Sequence, residues 1–190
     1  HAQWRRRGGG GNSGSIGGGV TNQGALALSG GSIAGGLVNE SGSFVTRGNA
    51  SVAGGIRNQS GATARILAGS TLTAANGILN QAGGNVVLDG RLNGDLQNLG
   101  TLSQTGTLAG SLATSGRTTL AGTVTGDLIY DGGTLDLRDS ASIGRDFRLN
   151  ADYAVGAGTS VAAGRTVVAQ DSTLTLAGLL LALLLLSRQW

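Results

Sequence analysis

The sequence predicts an all-β chain wound as a single parallel β-helix, a β-solenoid of about nine coils. Three observations predict it. A frame of the form apolar–x–Gly–x–apolar–x–Asn returns about every 16–20 residues. Between the copies, apolar and small polar residues alternate with the period of two that a strand requires. Gly fills 37 of 190 positions without a collagen period, and Pro is absent, which suits a backbone whose N–H groups nearly all join ladders.

The copies run in order. The first three are Ile16–x–Gly18–x–Val20–x–Asn22, Ile33–x–Gly35–x–Leu37–x–Asn39 and Val52–x–Gly54–x–Ile56–x–Asn58. A stretched copy from Leu72 to Ile78 and Asn80 carries two extra residues in its middle, and Leu92–x–Gly94–x–Leu96–x–Asn98 follows. Two coils keep the frame but replace the Asn, with Gly110 leading to Thr114 and Gly126 to Tyr130. Degraded copies begin at Ile143 and Val161. A Gly two or three residues after the Asn position (Gly24, Gly42, Gly61, Gly83, Gly100, Gly116) marks a turn. A second alternating run such as Thr134-Leu135-Asp136-Leu137 follows, so each coil is expected to hold two or three short strands.

Stacking such coils at about 4.8 Å turns each position of the frame into a column. Asn22, Asn39, Asn58, Asn80 and Asn98 are expected to form an amide ladder at a bend, each donating and accepting along the stack. Gly18, Gly35, Gly54, Gly94, Gly110 and Gly126 mark a place where a side chain is crowded or φ is positive. The position before the first apolar residue reads Ser15, Ser32, Ser51, Thr71, Arg91, Thr107, Thr123, Ser142, Ser160, an outward column of hydroxyls with one exception.

Composition divides the chain into a flexible, unstructured Gly-rich basic arm over 1–15, the solenoid over 16–170 and an apolar capping or inter-subunit segment over 171–190. Met is absent and the chain opens His1-Ala2-Gln3, which fits the tail of a signal-peptidase site, and with it export, as well as it fits an arbitrary boundary. Cys is absent, so no disulfide scaffold is expected. All 13 basic side chains are Arg. Residues 1–88 hold six Arg and one Glu, a charge of +5; residues 89–190 hold seven Arg and nine Asp, a charge of −2. Arg5-Arg6-Arg7 lacks the aromatic platform that a nucleic-acid site needs, so it reads as a solvated tail. The apolar run 176–186 is too short for a transmembrane helix. Having no polar alternation, it is expected to be buried, as a cap or against a neighbouring subunit, in either helical or strand form.

The segments Val124-Thr125-Gly126-Asp127-Leu128, Leu92-Asn93-Gly94-Asp95-Leu96-Gln97-Asn98 and Val52-Ala53-Gly54-Gly55-Ile56-Arg57-Asn58 resemble the β-helical repeats of bacterial surface proteins. Autotransporter passengers and filamentous-haemagglutinin-like adhesins have stalks of this kind, and the resemblance covers 16–170. Bactofilins, cytoskeletal β-helices that polymerise end to end, are similar in coil logic but less dense in Gly and Asn. The resemblance implies an extracellular or cell-surface protein of bacterial type.

Asp131, Asp136, Asp139 and Asp146 cluster in sequence and would suit acid–base work or calcium, but turn-forming Asp beside Gly132, Gly133 and Ser140 is the plainer reading. His1 is the sole His. A polysaccharide-acting enzyme is therefore the third reading. No regular Thr-x-Thr face exists for ice. Of the sequons at Asn39, Asn49 and Asn58, two lie in the ladder column. The expectation is a non-enzymatic structural subunit, without metal or cofactor, that polymerises head to tail into a filament, surface appendage or matrix, alone or with other surface components. The contacts expected to join subunits are Trp4, Arg5, Arg6, Arg7, Leu179, Leu181, Leu184 and Trp190. The alternative is a stalk segment of a secreted adhesin.

Overall fold

A computed structural model describes the backbone of residues 4–6, 10–138 and 140–186, and side chains over 13–138 and 140–180. The described chain is all-β, with no helix, and its strands stack in parallel as a solenoid of about nine turns. The central coils carry three strands each, and from Ser142 onward the first two run together as one long strand. In one central coil the three are Arg91–Asn93, Leu96–Asn98 and Thr101–Gln104, and in the next Thr107–Ala109, Leu112–Thr114 and Arg117–Leu120. Each strand pairs only with its counterparts one coil below and one coil above, as with Leu96↔Leu112 and Leu102↔Thr118. The period-two alternation decides which residues face in. Leu37, Ile56, Ile78, Leu96, Leu112 and Leu128 form one buried column, and Phe44, Ala64, Val86 and Leu102 form another.

The solenoid continues beyond both expected borders. Trp4–Arg6 pairs with Val20–Asn22, and Gly10–Asn12 pairs with Ala25–Leu28, so the stretch read as an unstructured arm contributes two strands. Its glycines permit this because extended backbone suits Gly as it suits any residue, and the strand edges below Val20 and Ala25 offer partners. At the other end the apolar run is a strand, Leu179–Leu186, paired along Ser160–Val168. Leu180 stands opposite Val161 and Leu184 opposite Thr166, positions that are buried one coil below.

Two expected registers are corrected. Ser51 lies opposite Thr73 and Val52 opposite Ala74, whereas Leu72 lies opposite Ala50 and Leu92. The fourth coil therefore has two inward residues on its first strand, Leu72 and Ala74, both fully buried. The third coil shares this width, with Ala50 and Val52 buried, and the fifth narrows to Leu92 alone on that strand. The hydroxyl column is consequently broken at Thr71, and it breaks again where Ser142 meets Ala162 in place of Ser160. Likewise Ile143 stands opposite Ala163, and Val161 opposite Leu180. An irregularity between Ile143 and Asp146 absorbs the difference.

The third face is interrupted. Its eight-stranded sheet ends at Thr134–Leu137, and Tyr153–Val155 with Leu174–Leu176 forms a separate pair. Tyr153 packs edge-on against Tyr130 and Phe147, with ring centroids at 5.4 and 5.5 Å. Burial, reinforced by Asp136 and Tyr130, pushes its phenol up to about 12.

Candidate functional site: internal ladders and the solenoid end

The five ladder asparagines lie one above the next and are all buried. Asn22 Nδ2 donates to Asn39 Oδ1 at 2.6 Å, Asn39 to Asn58 at 2.8 Å, Asn58 to Asn80 at 2.8 Å and Asn80 to Asn98 at 2.7 Å. The amide orientation is set by the backbone beside it. Each Nδ2 also donates to turn or third-strand carbonyls: Asn58 to Ala62 and Asn85, Asn80 to Gly84 and Thr101. A flipped amide would bring oxygen against those oxygens. The ladder then ends in stages. Asn98 donates to Thr118 Oγ1 at 2.9 Å, Thr118 and Thr114 share a hydrogen bond at 2.7 Å, and the Tyr130 hydroxyl donates to the Gly133 carbonyl. Leu149 and Val168 close the column with apolar side chains.

The Gly column is a matter of crowding. A Cβ on Gly35 would stand 2.5 Å from the Gly19 nitrogen, and one on Gly126 would stand 2.5 Å from Ser111 Oγ. Gly54 and Gly110 are equally blocked by the backbone of the coil below, and Gly18 accepts a hydrogen bond from Gly35 N–H at 3.1 Å. Gly94 alone in this column adds a positive φ, 139°.

A second ladder, not expected from the sequence, is present. It occupies the corner just before the second strand, where Gly19, Gly36, Gly55 and Gly77 give way to Asp95, Ser111, Asp127, Asp146 and Arg165. The Ser111 N–H donates to Asp95 Oδ1, the Asp127 N–H to Ser111 Oγ, and the Asp146 N–H to Asp127 Oδ1, at 2.8, 3.1 and 3.2 Å. Each side chain thus satisfies the backbone of the next coil. Above Asp127 the ladder becomes ionic. Arg165 grips both oxygens of Asp146, and Arg148 reaches Asp146 at 3.0 Å and Asp127 at 3.6 Å. The hydrogen bonds from Arg165 hold the Asp146 carboxyl below the usual carboxylate range, and the same contact raises the Arg165 guanidinium. The signal available was the residue preceding each second-strand apolar position, which switches from Gly to Asp or Ser at residue 95.

The sequence-clustered carboxylates do not converge. Asp131 accepts from Asn150, Asp136 pairs with Arg138 at 2.6 Å on the third face, and Asp146 is held at the corner. Asp139 lies outside the described residues. Among the described residues no group of three or more His, Cys, Asp or Glu could hold a metal ion. Nor, among the described residues, is any helix long and apolar enough to cross a membrane.

Of the residues expected to join subunits, Leu179 is 55% exposed. Trp4, Arg5 and Arg6 stand in register with Val20, Thr21 and Asn22 of the chain's own next coil. Leu181 and Leu184 are strand residues opposite Ala162 and Thr166. Arg7 and Trp190 lie outside the described residues. The end of the third face is the telling place. Leu176 sits directly above Val155, which is 1% exposed, yet Leu176 is 52% exposed because no described strand covers it.

No family model matches the chain, and neither does any curated protein or solved structure.

Proposed function

We propose that the chain is a structural β-solenoid subunit that polymerises head to tail into an extracellular filament or surface appendage of bacterial type. The observation that carries this reading is the uncovered apolar coil above a buried one. Leu176 is more than half exposed directly over buried Val155, Leu179 is more than half exposed over the outward-facing Ser160, and the strand Leu179–Leu186 is leucine at every position but Ala182, at inward and outward registers alike. An apolar strand edge of this kind templates another strand. The occupant we assign is the opposite end of a second copy, because the halves of the chain carry +5 and −2 and opposite charge favours head-to-tail docking over head-to-head. A heterologous contact of that type does not close on itself. The role is structural, not catalytic: the described carboxylates that clustered in sequence are each engaged in an ion pair or hydrogen bond on different parts of the surface.

Sedimentation and negative-stain microscopy test it. The purified chain should form fibres whose length grows with concentration. Leu176→Asp with Leu179→Asp should leave short soluble species with an unchanged β-sheet spectrum. A stable monomer at high concentration would sink the filament reading. The adhesin-stalk reading, in which further residues of a longer chain supply the next coil, would replace it.

A further inference from the structure

Two Asn-Gly pairs occur in the chain, Asn76-Gly77 and Asn93-Gly94. A glycine after asparagine leaves the peptide nitrogen sterically open to attack the side-chain amide carbon. The fold treats the two pairs very differently. Asn93 ends a strand, Arg91–Asn93, paired to Thr73 below and Ala109 above. Its side chain is held at both ends, accepting from Arg91 Nε at 2.8 Å and donating to Thr73 Oγ1 at 3.3 Å. Turning its backbone into the cyclisation geometry would break two coil ladders. Asn76 instead is exposed, in the turn between Thr71–Ala74 and Ile78–Asn80. The attacking group, the Gly77 N–H, donates a local turn bond to the Ala74 carbonyl at 2.9 Å. Gly77 has a φ of 72°, so the chain already departs from extended geometry there.

We propose that Asn76 is a self-modification site, converting to aspartate and isoaspartate in the folded protein while Asn93 persists. The Gly77 nitrogen, having given its proton to hydroxide or buffer base, attacks Asn76 Cγ. The Cγ–Nδ2 bond breaks and ammonia leaves, giving a succinimide. Water then adds to either ring carbonyl and one C–N bond opens, yielding aspartate or isoaspartate. Water is the sole co-reactant. The new carboxylate enters the shallow groove that Asn76 shares with Val38, Arg57 and Leu79, and so places an anion beside an exposed arginine in the basic half of the chain. Isoaspartate adds one backbone atom at a corner outside the strands, so the coil register is retained.

Peptide mapping by mass spectrometry, with enzymatic methylation of isoaspartate, tests this on the full chain incubated in mildly alkaline buffer. Folded protein should modify Asn76 at least about tenfold faster than Asn93, since opening paired strands is far rarer than opening a surface turn. Chain unfolded in urea should modify the two at equal rates. Equal rates in the folded state, or a folded-state preference that persists unchanged in urea, would overturn the proposal. Asn76→Gln should remove the product at 76 and leave Asn93 as it was.

Discussion

Asn58 engages both ends of its amide. It accepts from Asn39 and donates to Asn80, to Ala62 and to Asn85. Replacing it by Leu leaves those groups buried without partners, so Asn58→Leu should cost about 1–3 kcal/mol in urea unfolding. Thr46 presents the opposite case. It is fully buried between Leu28 and Ile66, and its hydroxyl finds no partner among the described residues. Thr46→Val should therefore stabilise the protein by about 1 kcal/mol, a rise in the urea midpoint. Asp146 sets an acid limit. Its folded value is depressed below 3.8, so its contribution is fully present above that ordinary value and is lost as pH falls through the folded one. Native protein should lose stability over that acidic window, and Asp146→Asn, less stable at neutral pH, should lose less there.

At the scale of the element, the corner ladder is what the coils above residue 94 gained when they lost the corner glycines, of which Gly55 and Gly77 have positive φ. Ser111→Ala removes the acceptor of the Asp127 N–H and should cost about 1 kcal/mol in thermal or urea unfolding. Gly54→Ala should cost more, about 1–3 kcal/mol, because its Cβ meets backbone that cannot move aside. These two ladders show what a sequence exposes. The Asn column was legible because one residue type is needed at every level: an amide can both donate and accept, so like must stack on like. The corner column was hidden because Asp and Ser serve equally as acceptors of a backbone N–H, and Arg can replace them once an Asp stands below. The register change between the third and fourth coils was hidden for a different reason. Leu72 and Ala74 are both apolar and both inward, so either aligns plausibly with Val52. Only the pairing to Ala50 and Leu92 decides between them.

For the whole molecule, stability is a sum of coil-on-coil interfaces, and coils of equal length should be removable. The step from Asn98 to Thr114 is 16 residues. Thr107 and Thr123 occupy equivalent positions. Excising residues 107–122 joins Gly106 to Thr123 in register. The shortened chain should fold with an unchanged far-ultraviolet spectrum and a urea m-value reduced in proportion to its length. Excising a few residues more or fewer should unfold it, since every inward side chain downstream would change face or column.

The asparagine amides all point one way, nitrogen toward the higher coil. Aligned amides add their dipoles, and five at about 3.5 D each sum to less than about 20 D. A single pair of opposite unit charges three coils apart, at about 4.8 Å per coil, already exceeds that several-fold. The charge imbalance of the surface, positive toward the first coils, runs against the ladder and dominates it. In an electric field the rod should turn by its arginines and aspartates, while the asparagine wire inside it, polarised the other way, does no more than tighten its own links.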